Sequence, residues 1–153
     1  MDDLKEIYNE VIVEHYKNPF NKKILEEYNF EEEGVNPSCG DQIKLFVLIK
    51  DEKIKDISFE GQGCSISIAS SSILTSTIKE LSISQAQKIT EKATEYIKTG
   101  KIQDKNFQEY EIFKESDIMA FSSIHNFPVR IKCALLPWIT LKSILEKIQI
   151  KQK

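Results

Sequence analysis

Cysteine is scarce in this chain, with three in 153 residues, and no two of them form a Cys-x-x-Cys pair. An odd and sparse set of thiols is a poor basis for a disulfide framework, so buried, catalytic or metal-bound roles remain. Positive charge is not in excess either. The net charge is −3 and the lysines are scattered among glutamates, so no basic face calls for phosphates, and nucleic acid is excluded as the expected partner. Long apolar runs are absent: residues 45–49 and 134–139 are the longest and are far too short to cross a bilayer, so no membrane partner is expected. The acidic start Met1-Asp2-Asp3 does not suit a positively charged leader, which leads us to expect a cytoplasmic protein. No internal repeat, low-complexity tract or linker divides the sequence, so residues 1–153 are expected to form one domain.

What is present has the composition of an ordinary globular protein, 41% hydrophobic and 29% charged. Residues 2–17 place Leu4, Tyr8, Val11 and His15 at helical spacing, ending before Pro19. Residues 18–38 lose that period. They read as a long surface loop with room for one short strand, and the acidic run Glu31-Glu32-Glu33 reads as solvated. Residues 42–50 and 53–60 alternate, with Ile43, Leu45, Val47 and Ile49 on one face and Ile54, Ile57 and Phe59 following the Asp51-Glu52 link, as in a β-hairpin. Gly61-Gln62-Gly63 turns the chain into a serine-rich helix over 65–79, and a further helix is expected over 84–99 with Ser84 as N-cap and Gly100 as stop. Residues 101–127 show no clear period beyond a short helix over 117–121 capped by Ser116. Pro128 opens the last helical stretch, which Pro137 either kinks or restarts. The expected class is α+β: a small antiparallel sheet of about three strands with helices packed on one face.

The thiols fall at element boundaries. Cys39 lies in the turn Asn36-Pro37-Ser38-Cys39-Gly40-Asp41, Cys64 lies between a strand end and a helix, and Cys133 lies near the start of the last helical stretch. A thiolate serves as soft metal ligand or nucleophile once a helix N-terminus, a cation or a metal removes its proton. Two readings stay open on these grounds: three inert buried cysteines, or thiolates sharing one metal with Asp41. In the second, three thiolates, a carboxylate and Zn²⁺ sum to about −2, which Arg130 and Lys132 beside Cys133 would offset. His15 reads as a packing or capping residue, His125 as a surface loop residue and Trp138 as part of the last helix's packing.

Taken together, His15-Tyr16-Lys17-Asn18-Pro19, Asn36-Pro37-Ser38-Cys39-Gly40-Asp41, the run from Phe59 through Gly61-Gln62-Gly63-Cys64 to Ser72, and Phe127-Pro128-Val129-Arg130-Ile131-Lys132-Cys133 resemble the U-type iron-sulfur cluster assembly family over nearly the whole chain. Within it, scaffold members resembling IscU build a [2Fe-2S] cluster, and SufU-like members bind zinc and accept sulfur from a cysteine desulfurase. The scaffold type carries histidine directly before its third cysteine, where this chain has Lys132, and SufU-like chains carry an extra segment before that cysteine, matched here within residues 101–127. The SufU-like branch is therefore the expected one. It implies Cys39, Asp41, Cys64 and Cys133 as zinc ligands and Cys39 as the sulfur acceptor, freed when a histidine of a SufS-like desulfurase displaces it. It also implies Arg130 as an accessory to the freed thiolate, and a downstream cluster-assembly scaffold as recipient. The alternatives are a [2Fe-2S] scaffold and a non-catalytic zinc adaptor that activates the desulfurase.

Overall fold

The structure, a computed structural model, describes residues 9–152. Its centre is a three-stranded antiparallel sheet of β1 (Phe30–Asn36), β2 (Asp41–Lys50) and β3 (Lys53–Gln62) in the order β1-β2-β3. Alternation buries Ile43, Leu45 and Val47 of β2 with Ile54, Ile57 and Phe59 of β3. Asp51 and Glu52 join β2 to β3, both at positive φ (55° and 59°), the backbone that matches the strands' right-handed twist in a two-residue hairpin.

The acidic run is not a loop. Glu31, Glu32 and Glu33 pair with Phe46, Leu45 and Lys44 as the edge strand β1. Glu31 and Glu33 face outward, and Glu32 forms an ion pair with Lys147. An edge position explains why the run escapes the strand pattern: one face and one edge are wet, so only its hydrogen bonds to β2 mark it as strand.

Helices cover the other face. α1 (Glu10–Lys17) is capped by Asn9, whose side chain accepts from the Ile12 N–H at 3.1 Å; the expected start of this helix at Asp2 lies outside the described residues. α2 (Ser65–Ile78) buries Ser67, Ser70, Ser71 and Ser72 completely, and small side chains let neighbouring backbones approach. Ser70 Oγ donates to the Ala134 carbonyl at 2.6 Å and accepts from Trp138 Nε1 at 3.1 Å, which seats the last helix on α2. α3 (Ile83–Thr99) starts one turn position earlier than the sequence suggests. Ser82, not Ser84, is its N-cap, because Ser82 and Gln85 satisfy each other's backbone N–H groups in a capping box; Gly100 at φ 74° ends it as expected.

Residues 101–127 hold more structure than their pattern shows: α4 (Tyr110–Glu115), then 3₁₀ turns over Asp117–Phe121 and Ile124–Asn126. They dock on α3, with Lys92 Nζ 5.0 Å above the Phe107 ring and Tyr96 edge-on to Phe113. α5 (Pro128–Gln152) is one helix with Pro137 inside it, so Pro137 does not restart the chain. The missing N–H at Pro137 leaves the Cys133 carbonyl without its i+4 donor. α5 lies against β1, where a Cβ on Gly34 would stand 2.1 Å from Thr140 Oγ1. No helix among the described residues is long and apolar enough to cross a membrane.

Candidate metal centre

Three elements bring the chemistry together. Asn36 and Asp41 pair across the β1–β2 hairpin, and the turn between them closes with Cys39 N donating to the Asn36 carbonyl at 3.3 Å and Gly40 at φ 69°. This leaves Cys39 half-buried above Asp41, which is fully buried. Cys133 arrives from the first turns of α5, also fully buried, with its thiol 3.7 Å from the Val129 carbonyl one turn back. One ligand atom each from Cys39, Asp41 and Cys133 lies within 4.8 Å of the other two. Tetrahedral zinc with sulfur ligands at about 2.3 Å would draw sulfurs to about 3.8 Å apart, so these donors need only a small contraction.

Cys64 approaches from a third direction with its thiol beside that of Cys133. It lies outside the group whose ligand atoms are all within 4.8 Å of one another, so the fourth expected ligand is not drawn into that cluster. It is the N-cap of α2, and its backbone N–H donates to Asp41 Oδ1 at 2.8 Å. Ser67 Oγ donates to the Cys64 carbonyl at 3.0 Å and fixes the first turn of the helix. The hydrogen bond from the Cys133 thiol lowers the Cys64 pKa from its ordinary value to about 6, opposed by burial and by Asp41 and assisted by backbone donors of the helix start. The same contact raises Cys133 far above the ordinary thiol range, with burial, Cys39 and Asp41 adding to it. One thiolate is thus accommodated and the next is resisted. A cation is the group that removes such resistance, so a soft sulfur set with one buried carboxylate fits a zinc-sized ion.

Two residues that sequence reading gave no role at the metal shape this pocket. Asn36, 7% exposed, donates from Nδ2 to Asp41 Oδ2 at 3.3 Å and reaches Cys133 Sγ at 3.7 Å. Gly63 has no space for a side chain: a Cβ there would sit 2.5 Å from Asp41 Oδ1 and 2.6 Å from Ser67 Oγ. Asn36 reads as a turn residue in sequence; Asp41 is five positions away, but Cys133 comes from α5, 97 positions on, so no local signal would have linked the two through it.

The cations beside Cys133 diverge. Lys132 is exposed and Arg130 is half-buried at the start of α5. His15 stands apart from the thiols and packs, as expected. It is buried at 3% exposure, with Nδ1 2.7 Å from Ser72 Oγ and Nε2 2.7 Å from Asp117 Oδ2, tying α1 to α2 and to the 3₁₀ turn. Ser72 is fully buried inside α2 and its hydroxyl also accepts the Phe20 N–H, so this trio offers no exposed nucleophile. His125 is less of a surface residue than its loop suggests: its ring lies against Gly100, where a Cβ would come within 2.4 Å of Nδ1. Trp138 is fully buried and packs α5 on α2, as its helical spacing implies.

A family model described as the NifU-like N terminal domain matches residues 7–134. The zinc-dependent sulfurtransferase SufU of Bacillus subtilis is 37% identical over 145 residues, covering 95% of this chain and 93% of its own length. The iron-sulfur cluster assembly scaffold protein IscU of Thermotoga maritima is 35% identical over 144 residues, 94% of this chain and 96% of that protein. Among solved structures, a SufU of Fervidobacterium islandicum AW-1, described as an iron-sulfur cluster assembly scaffold protein for the SUF system, superposes with a TM-score of 0.80 at 35% identity, covering 92% of this chain and 98% of that one.

Proposed function

The chain belongs to the NifU-like N-terminal domain family, and from that premise we propose that it is a zinc-dependent sulfurtransferase that takes persulfide sulfur from a SufS-type cysteine desulfurase in iron-sulfur cluster assembly. The observation that carries this reading is an asymmetry among the donors. Asp41 and Cys133 are fully buried, while Cys39 is half-buried on a turn whose Gly40 has no atom within 4 Å of a would-be Cβ. Cys64 is half-buried too, but it caps α2 and its N–H is bound to Asp41 Oδ1, so Cys39 is the thiol on the least constrained backbone.

In this reading Cys39, Asp41, Cys64 and Cys133 hold the metal. Bound zinc supplies a fixed positive charge that keeps the thiols deprotonated. The freed Cys39 thiolate attacks the outer sulfur of the desulfurase's cysteine persulfide. A new S–S bond forms on Cys39, the persulfide S–S bond breaks, and the desulfurase cysteine departs as a thiolate. Asp41 and Cys133, held from three elements, keep the pocket in shape meanwhile. Arg130, on the same helix as Cys133, is the cation we assign to the freed thiolate or the desulfurase surface. The partners are the desulfurase and a downstream cluster-assembly scaffold, and the work is done in the cytoplasm.

The rival reading, a [2Fe-2S] scaffold, draws on the relatives of Thermotoga and Fervidobacterium, both described as scaffolds. Position 132 weighs against it, since an exposed lysine offers no imidazole where the scaffold type carries histidine. Anaerobic purification separates the two. Stoichiometric zinc, and one added sulfur atom on Cys39 after incubation with desulfurase and cysteine, is the expected result. An iron and sulfide chromophore, or sulfur uptake that survives Cys39→Ser, would overturn it.

A further inference from the structure

A site that must release one donor needs something that holds those that stay. Asn36 is placed to hold two of them, Asp41 and Cys133. Its backbone carbonyl accepts the Cys39 N–H at 3.3 Å, closing the turn, while its side-chain amide donates to Asp41 Oδ2 at 3.3 Å and reaches Cys133 Sγ at 3.7 Å. Its two amide hydrogens match two acceptors, one on β2 and one on α5, 97 positions away in the chain. The residue is 7% exposed, so water does not substitute for these contacts. Asp41's other oxygen is taken by the Cys64 N–H at 2.8 Å, so the carboxylate is oriented from both sides and has no freedom to turn.

We infer that Asn36 is a positioning residue: its amide locks Asp41 and Cys133 as a fixed part of the metal pocket, so that Cys39 can detach without these two moving. This rests on the zinc-dependent reading above. The amide presents hydrogens to both groups, which suits a carboxylate and a thiolate and gives a thiol little. It orients both groups while lending the Cys39 sulfur nothing but a turn. Partners that orient ligating groups in this way change metal affinity by roughly 10–100-fold when removed.

The test uses the full chain with Asn36→Asp, which keeps the side chain's shape and replaces both N–H donors with an acceptor, alongside Asn36→Ser, which keeps one donor. Zinc affinity is measured by competition with a chromophoric chelator. Ligand geometry is read from the visible d–d and sulfur-to-metal charge-transfer bands of the cobalt-substituted proteins. We expect Asn36→Asp to lose about 10–100-fold in affinity and to alter the d–d bands, and Asn36→Ser to recover part of both. A purely structural role would lower melting and leave the cobalt spectrum of the folded fraction unchanged. Wild-type affinity and bands in Asn36→Asp would overturn the inference. If Asn36→Asp does not fold, Asn36→Ser decides: an unaltered spectrum and affinity there likewise overturn it. Wild-type protein that binds no zinc would instead sink the functional reading, so the two failures are told apart.

Discussion

Cys39 and Cys133 come within 4.8 Å of each other and of the same carboxylate, yet the chain holds them in opposite ways. Cys133 sits on a 25-residue helix, fully buried, with its sulfur touched by Asn36 and by the helix's own Val129 carbonyl. Cys39 sits on a turn closed by two long backbone hydrogen bonds of 3.3 and 3.4 Å, and is half-exposed. A ligand built into the core supplies stability; a ligand on a loose turn supplies movement. In the proposed reading, that division would let one pocket serve both as structural metal site and as acceptor of sulfur.

Stability should divide along the same line. In the proposed reading Cys133→Ala removes a core side chain as well as a metal ligand, so we expect zinc to be lost and stability to fall about 1–3 kcal/mol below that of the wild-type apoprotein. Cys39→Ser should abolish sulfur uptake while melting within about 1 kcal/mol of the wild-type apoprotein. Calorimetry of both variants checks this, and equal melting losses would break the comparison. Chelating zinc from the wild type should likewise lower its melting temperature and speed amide exchange first in the Cys39 turn.

The joint at His15 provides a control remote from sulfur. His15→Ala deletes a buried ring and both its hydrogen bonds, which should destabilise by about 2–4 kcal/mol without changing zinc content, as denaturant unfolding with metal analysis would show. Should zinc be lost as well, the two ends of the fold are coupled.

The two glycines of the site sharpen the contrast further. Gly63→Ala drives a Cβ into Asp41 Oδ1 and Ser67 Oγ, with an expected penalty of about 1–3 kcal/mol together with weaker zinc binding. Gly40→Ala meets no atom and is opposed only by its φ of 69°, so about 1 kcal/mol and near-normal zinc affinity are expected. Urea titrations with and without zinc separate the steric effect from the conformational one. Smallest should be Asp117→Asn: its side chain is 52% exposed, and trading its charge for an amide should change stability by less than about 1 kcal/mol.

Much of this was legible beforehand, for local reasons. Alternation in residues 42–60 announced the hairpin, Gly100 marked the end of α3, and Ser116 marked the start of a short turn, because each depends on neighbours only a few positions away. Ser84 was a plausible cap, but Ser82 won because Gln85 stands three residues after it and closes the box. Glu31, Glu32 and Glu33 gave no strand signal, since what makes them a strand is the β2 edge that they pair with. α4 was hidden because its burial comes from aromatic contacts with α3, not from its own period.

Neighbouring residues alone specify the local parts: a hairpin, a glycine-bearing turn with a thiol and a carboxylate, and cysteines at helix starts. Their convergence comes from long-range packing. It set Cys133 beside Asn36 and Asp41, made α5 continuous through Pro137, and buried His15 between Ser72 and Asp117. The reason is distance along the chain. Propensities and caps act within one or two turns, whereas a pocket assembled from β1, β2, α2 and α5 exists only once the hydrophobic faces of all four have packed together.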